Sequence, residues 1–119
     1  MSSKPRTDDP VDIARVDNAI RRAESLAVAD PNSASADEVA AELGEYLAGL
    51  IPQAEYRLMR MPTRTPAQQR ARDVLEDSIR HARSVRDDEE HGRFSNTTAR
   101  LYLLSGAARL MKHGMVSPW

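Results

Sequence analysis

The stretch "AGLIPQAEYRLMRM", from Ala48 to Met61, places a proline inside a pattern that is otherwise helical. Apolar residues keep one helical phase on both sides of Pro52: Val39, Leu43, Tyr46, Leu47, Leu50 and Ile51 before it, Ala54, Leu58 and Met61 after it. Two separate helices would have no reason to keep that phase. Proline removes one backbone hydrogen bond and bends a helix. The pattern therefore predicts one long helix, over about residues 36–61, kinked at Pro52.

Start and stop signals frame this helix and the one before it. Asp9 and Pro10 are a typical N-cap and first helical residue, and Asp30 ends the first apolar stripe. The sequence "SADE", over Ser35–Glu38, has the spacing of a capping box for the long helix.

Two further helices are predicted downstream. The sequence "TPAQ", over Thr65–Gln68, combines a cap, a proline and a capping-box glutamine. The stripe that follows contains Ala71, Val74, Leu75, Ile79, Ala82 and Val85, and it gives way to "DDEEHG", which suggests an acidic loop. Ser95 or Asn96 caps the fourth helix, and Gly114 is expected to end it.

Four amphipathic helices with short links predict an all-α protein, an antiparallel bundle of four helices. The fourth helix is apolar on much of its surface, which favours a central position. We expect residues 1–8 to be a flexible tail, residues 9–114 to be the bundle, and residues 115–119 to be a C-terminal tail.

Composition limits the function further. The 119 residues suit one domain, 40% of them are hydrophobic, and the net charge of −1 argues against binding a polyanion by bulk charge. The absence of cysteine excludes disulfides, thiolate metal sites and a cysteine nucleophile. No apolar run reaches the roughly 18 residues of a membrane span. With no signal-peptide pattern either, we expect a cytoplasmic protein.

No catalytic or metal motif stands out. Asp73, Asp77 and His81 share one helical face, but the basic residues nearby favour ion pairing over a metal site. Glu89–His91 could be drawn as an acid–base group, although a charge run in a glycine-containing loop is more often solvated. We therefore predict no catalytic residues, no metal and no cofactor.

Charge is uneven in one interval. Between Glu55 and Asp73 there is no acidic residue, whereas the interval carries Arg57, Arg60, Arg64, Arg70 and Arg72. One interpretation is an anion-binding site formed by Arg57, Arg60, Arg64 and Arg70, helped by the free N–H groups that begin the third helix. The other is that these arginines complement a helix C-terminus and cover the surface. No interleaved aromatics continue the interval, so nucleic acid is not favoured.

The fourth helix also suggests self-association. Leu103, Ala107 and Leu110 lie away from its main stripe, and together with Trp119 they form a candidate interaction surface. A homodimer would cover this surface. The alternative is a fully central helix with the C-terminal tail folded over the remainder.

The segment "LAGLIPQAEYRLMRMP" resembles a family of small, uncharacterised actinobacterial proteins. The residues that match are Leu47, Leu50, Ile51, Pro52 and Glu55, and "SIRHARSVRD" and "TARLYLLSGAARLMKHG" are similar to the later helices of that family. Met61 stands where members have a leucine. The resemblance implies a helical fold and a link to natural-product biosynthesis, and it brings no catalytic residues.

These observations favour a non-enzymatic protein-interaction or regulatory accessory module. A binding protein for an anionic small molecule, using the arginine cluster at the junction of the second and third helices, is the alternative. An enzyme ranks third.

Overall fold

The computed structural model describes the backbone of residues 12–116 and the side chains of residues 12–114. This part of the chain forms four helices and no strand: α1 Ile13–Ala29, α2 Ala34–Arg60, α3 Pro66–Glu90 and α4 Thr97–Val116. The all-α prediction is confirmed. The predicted tail over residues 1–8 lies outside the described residues, as do residues 117–119.

The helices pack as a bundle in which α2 and α4 each contact all three of the other helices, whereas α1 and α3 do not contact each other. Links of four to six residues join helices that pack against their neighbours, so successive helices run antiparallel. The centre of the core is aliphatic, as the scarcity of aromatic residues requires, and its largest fully buried side chains are Leu43, Leu47, Leu50, Leu101, Leu104, Met111 and Val16.

The long helix α2 passes through Pro52 without interruption, as predicted. Pro52 lies on the exposed face, while Leu50, Ile51 and Ala54 beside it are buried. The proline cannot supply the N–H that the carbonyl of Ala48 would otherwise accept. The apolar stripe on the opposite face continues into the core, and this packing holds the two halves together as one helix.

Two predicted helix starts are wrong. Asp12 caps α1, and its side chain accepts the Ala14 N–H at 3.0 Å; Asp9 and Pro10 fall outside the described residues. Ser33 caps α2, two residues before the predicted box, and its hydroxyl accepts the Ala36 N–H at 3.1 Å. The same hydroxyl donates to the carbonyl of Asp30 at 2.9 Å. This bond holds Ser33 in the turn, so the helix begins after Ser33 and Ser35 lies within its first turn.

The other two starts are confirmed. Thr65 and Gln68 form a reciprocal capping box at the start of α3. Asn96 is the residue that caps α4, because its side chain accepts the Ala99 N–H at 2.8 Å.

Two predicted helix ends are also wrong. The acidic run Asp87–Glu90 is the last turn of α3, not a loop, and the left-handed Gly92 (φ 63°) follows it. Gly114 does not end α4, which continues to Val116. Its role is close packing: a Cβ at Gly114 would lie 2.7 Å from the Cδ1 of Leu75 on α3.

Candidate ligand-binding groove

A groove of about 360 Å³ lies between α3 and α4, and Arg57 in the last turn of α2 also lines it. We call it the α3/α4 groove. Its lining residues come from three helices and the start of the α2–α3 link: Arg57, Met61, Arg70, Ala71, Val74, Leu75, Ser78, Leu110, His113 and Gly114. The volume is within the range of small-molecule sites.

Helical spacing explains the groove's walls. Arg70 and Val74 are four residues apart on α3, and Leu110 and Gly114 are four apart on α4, so each pair lies on one face of its helix. The missing side chain of Gly114 lets Leu75 approach α4. Val74 was predicted to belong to the core stripe, yet 62% of it is exposed, because it lies on the wall of the groove.

The α3/α4 groove is positively charged. Arg57 is half-buried and Arg70 is exposed, and no carboxylate is among the lining residues. Three other surface grooves each contain at least one glutamate. Within residues 12–114, Arg70 forms no ion pair, and Arg21, Arg60, Arg64 and Arg72 form none either, but Arg70 is the one of these five that lines the groove. Other arginines are matched with acids: Arg22, Arg80, Arg83, Arg86, Arg93, Arg100 and Arg109.

The structure divides the predicted arginine cluster. Arg57 and Arg70 lie together in the groove, but Arg60 and Arg64 are not among its lining residues. Arg60 is exposed, donates to the hydroxyl of Tyr56 and lies 5.2 Å from the centroid of that ring. Arg60 and Tyr56 are one helical turn apart, and this cation–π contact gives the guanidinium of Arg60 a partner within α2.

The start of α3 supplies fewer free N–H groups than were predicted. The side-chain oxygen of Gln68 accepts the N–H groups of Arg64, at 2.9 Å, and Thr65, at 3.2 Å. The Thr65 hydroxyl accepts the Gln68 N–H at 3.1 Å, and Pro66 has no N–H. The capping box therefore satisfies these donors, and the arginine side chains are what could attract an anion.

The predicted interaction surface on α4 is only partly accessible. Leu103 and Leu110 are 41% and 42% exposed and lie seven residues apart, on one face. Ala107 is fully buried, so its inclusion was wrong: it is three residues from Leu104 and follows that residue into the core. Trp119 lies outside the described residues.

The polar face of α3 forms local pairs. Asp73 accepts from the side chain of Gln69 at 2.9 Å, and Asp77 accepts from Arg80 at the same distance. These contacts agree with ion pairing and hydrogen bonding as the role of the face that also contains His81.

Asp87, Glu90 and His91 form one exposed set whose ligand atoms lie within 4.8 Å of one another. Arg93 already contacts Asp87 at 2.6 Å, and Arg86 lies 3.9 Å from Glu90. Arginines of the chain therefore neutralise the charge of this set in part. Exposed ion pairs of this kind contribute little to the stability of the fold.

Sequence reasoning missed the role of Glu89. Its carboxylate binds the guanidinium of Arg100, which also lies 3.2 Å from Asp37 of α2. The hydrogen bonding that Arg100 donates to Glu89 is the main cause of the raised pKa of Arg100. These residues are distant in sequence, so no local pattern could have indicated the contact.

Comparison with protein-family models, with curated proteins and with solved structures gives no match to this chain. Among the described helices, none combines the length and apolar character needed to span a membrane.

Proposed function

We propose that this chain is a non-enzymatic binding protein for a negatively charged small molecule, held in the α3/α4 groove by Arg57 and Arg70. The observation that carries the proposal is Arg70, which lines a groove without a carboxylate and has no ion pair within residues 12–114. A guanidinium donates charge-assisted hydrogen bonds to carboxylates and phosphates, often two at once. An anion in the groove would provide Arg70 with the ionic partner that residues 12–114 do not.

Local arrangement, not overall charge, supports this proposal. The net charge of −1 gives no general attraction for anions. The two arginines come from different helices, and the fold brings them to one groove. A ligand would therefore be recognised by a specific site and not by a diffuse basic surface.

The groove favours binding over catalysis. Its Ser78 and His113 come from different helices, and no lining carboxylate could orient the histidine as in a serine hydrolase. The remaining walls are mostly apolar. Such walls bind and orient a ligand but supply no acid, base or nucleophile.

The test is a thermal-shift and calorimetric screen with phosphate, sulfate and carboxylate metabolites. A ligand at about 100 times its Kd should stabilise the folded protein by about 2.7 kcal/mol. Arg70→Gln should abolish this shift. Arg64→Gln is the matched control, because it removes an exposed arginine of the same interval from outside the groove. Equal binding by the wild type and Arg70→Gln would contradict the proposal.

A second candidate is a protein-interaction or regulatory module that acts through the exposed face of α4, with a homodimer as the simplest case. Exposed Leu103 and Leu110, with Tyr102 at 48% exposure beside them, support it. Light scattering at micromolar concentration would detect a dimer, and Leu103→Ser should dissociate it. A mass near 13.2 kDa over a tenfold concentration range would contradict the homodimer.

We further propose that this role is cytoplasmic and serves natural-product biosynthesis in an actinobacterial host. The sequence resemblance over Leu47–Pro62 supports this context. Deleting the gene and profiling the secreted metabolites would test it, since an unchanged profile would remove the assignment.

A further inference from the structure

We infer that the ligand of the α3/α4 groove is amphipathic: a free small molecule with one anionic head and one apolar body, of the class of medium-chain carboxylates. The inference deepens the proposed function and rests on it. It follows from the apolar walls, the position of the charges along the groove, and the groove's size.

The walls of the groove present apolar surface to solvent. Val74 is 62% exposed and Leu110 is 42% exposed, and both line the same groove as the buried Met61 and Leu75. A purely inorganic anion would leave this surface in contact with water. An apolar body would cover it, and removing apolar surface from water is favourable roughly in proportion to its area.

The charges lie at one end. Arg57 is in the last turn of α2 and Arg70 is in the second turn of α3, so both are near the α2–α3 link. Ser78 marks the other end, eight residues or roughly 12 Å farther along α3. Val74 and Leu110 line the intervening length. A ligand with its head near the link would place its body along these two side chains.

The volume favours a single short chain. About 360 Å³ is near the lower end of the range for small-molecule sites. A membrane lipid with two long acyl chains exceeds that space. The chemistry therefore points to a free molecule and not to a bilayer surface.

Gly114 offers a way to change the apolar part alone. A Cβ at this position would lie 2.7 Å from the Cδ1 of Leu75, which is the far end of a flexible side chain. Gly114→Ala should therefore displace Leu75 and reduce the space for an apolar body. Neither arginine is altered.

Calorimetry with acetate, hexanoate, octanoate and neutral octanol provides the test. For the wild type, affinity should rise about two- to fourfold for each methylene that the groove covers, and octanol should bind at least tenfold more weakly than octanoate. Arg70→Gln should reduce the affinity for octanoate to the affinity that the wild type has for octanol. Leu110→Asn and Gly114→Ala should each lower the affinity for octanoate at least threefold, whereas Arg64→Gln should leave this affinity unchanged.

Other outcomes separate the two proposals. Acetate or sulfate that binds as tightly as octanoate, and is lost in Arg70→Gln, would overturn the amphipathic ligand and leave the anion-binding function in place. If octanol bound as tightly as octanoate, the ligand would not need an anionic head, and that part of the inference would be wrong. Binding to phosphatidylglycerol vesicles but not to free octanoate would overturn it in favour of a membrane surface. No binding by any probe, in the wild type, would overturn both proposals.

Discussion

The guanidinium of Arg100 meets the carboxylate of Glu89 at two points, with Nε 2.7 Å from Oε2 and Nη2 2.5 Å from Oε1. This two-point pair joins α4 to the last turn of α3. The side chains are 24% and 15% exposed, so water screens the contact less than it screens the surface pairs.

Replacing Arg100 should therefore destabilise the bundle. Arg100→Gln would leave the carboxylate of Glu89 partly buried without its donor, at a cost of about 1.5–3 kcal/mol. Urea denaturation measures this change in the free energy of unfolding.

Arg15 provides the matched control. It lies 3.8 Å from Asp12 with 76% of its side chain exposed, so Arg15→Gln should cost less than about 0.5 kcal/mol. Equal losses for the two variants would mean that the pair between Arg100 and Glu89 contributes no more than a surface contact.

Two helical glycines should respond differently to the same substitution. Alanine is favoured over glycine inside a helix by about 1 kcal/mol. At Gly106 an added Cβ meets nothing within 4 Å, so Gly106→Ala should raise stability by about 0.5–1 kcal/mol. At Gly44 the Cβ would lie 3.1 Å from the Cγ of Glu89, which Arg100 holds in place.

Gly44→Ala should therefore lose that gain and be neutral or destabilising. The measurement is the difference in unfolding midpoint between the two variants. If both variants gained equally, Glu89 would have to move freely, against the contact described above.

The raised pKa of Tyr46 predicts that the protein loses stability at high pH. Burial, followed by the charge and hydrogen bond of Glu42, raises the pKa of Tyr46 above its ordinary value. The folded state thus holds this proton more tightly than the unfolded state does. The contribution is present below pH about 10 and is lost as the pH rises through the raised pKa.

Denaturation of the wild type and Tyr46→Phe between about pH 8 and 11 would measure this contribution. The wild type should lose stability more steeply as the pH rises, because phenylalanine has no proton to lose. Parallel curves would show that Tyr46 titrates alike in the folded and unfolded states.

Pro52 should be replaceable without loss of the fold. Pro52→Ala restores the N–H for the carbonyl of Ala48 on an exposed face. We expect a gain of about 1–2 kcal/mol, less than the full helix preference of about 3, because proline also restricts the unfolded chain. Thermal denaturation with circular dichroism would measure the gain. A clear loss would instead show that the bundle requires proline at this position.

Periodicity was sufficient to predict the four helices and the passage of α2 through Pro52, because both follow from contacts local in sequence. Caps were less predictable. Ser33 and Ser35 both suit a helix start, and the choice depended on the turn contact between Ser33 and Asp30. The end of α4 was missed because Gly114 serves packing against Leu75, which is distant in sequence.

The candidate site could be predicted only in part, for the same reason. The sequence indicated Arg57 and Arg70 through the lack of nearby acids, but it also selected Arg60, which Tyr56 engages one turn away. Leu110 and His113 join the groove from a helix about 40 positions farther along the chain. A pattern confined to one helix contains no information on that meeting.

The contacts of α4 with all three other helices have a consequence for folding during synthesis of the chain on the ribosome. Of the four helices, α4 emerges from the ribosome last, yet each of the other three packs against it. Until it appears, the nascent chain can pair α1 with α2 and α2 with α3, but the surfaces awaiting α4 remain bare. Final consolidation of the core therefore waits for α4, and during that interval the chain should be most dependent on chaperones and most sensitive to proteases.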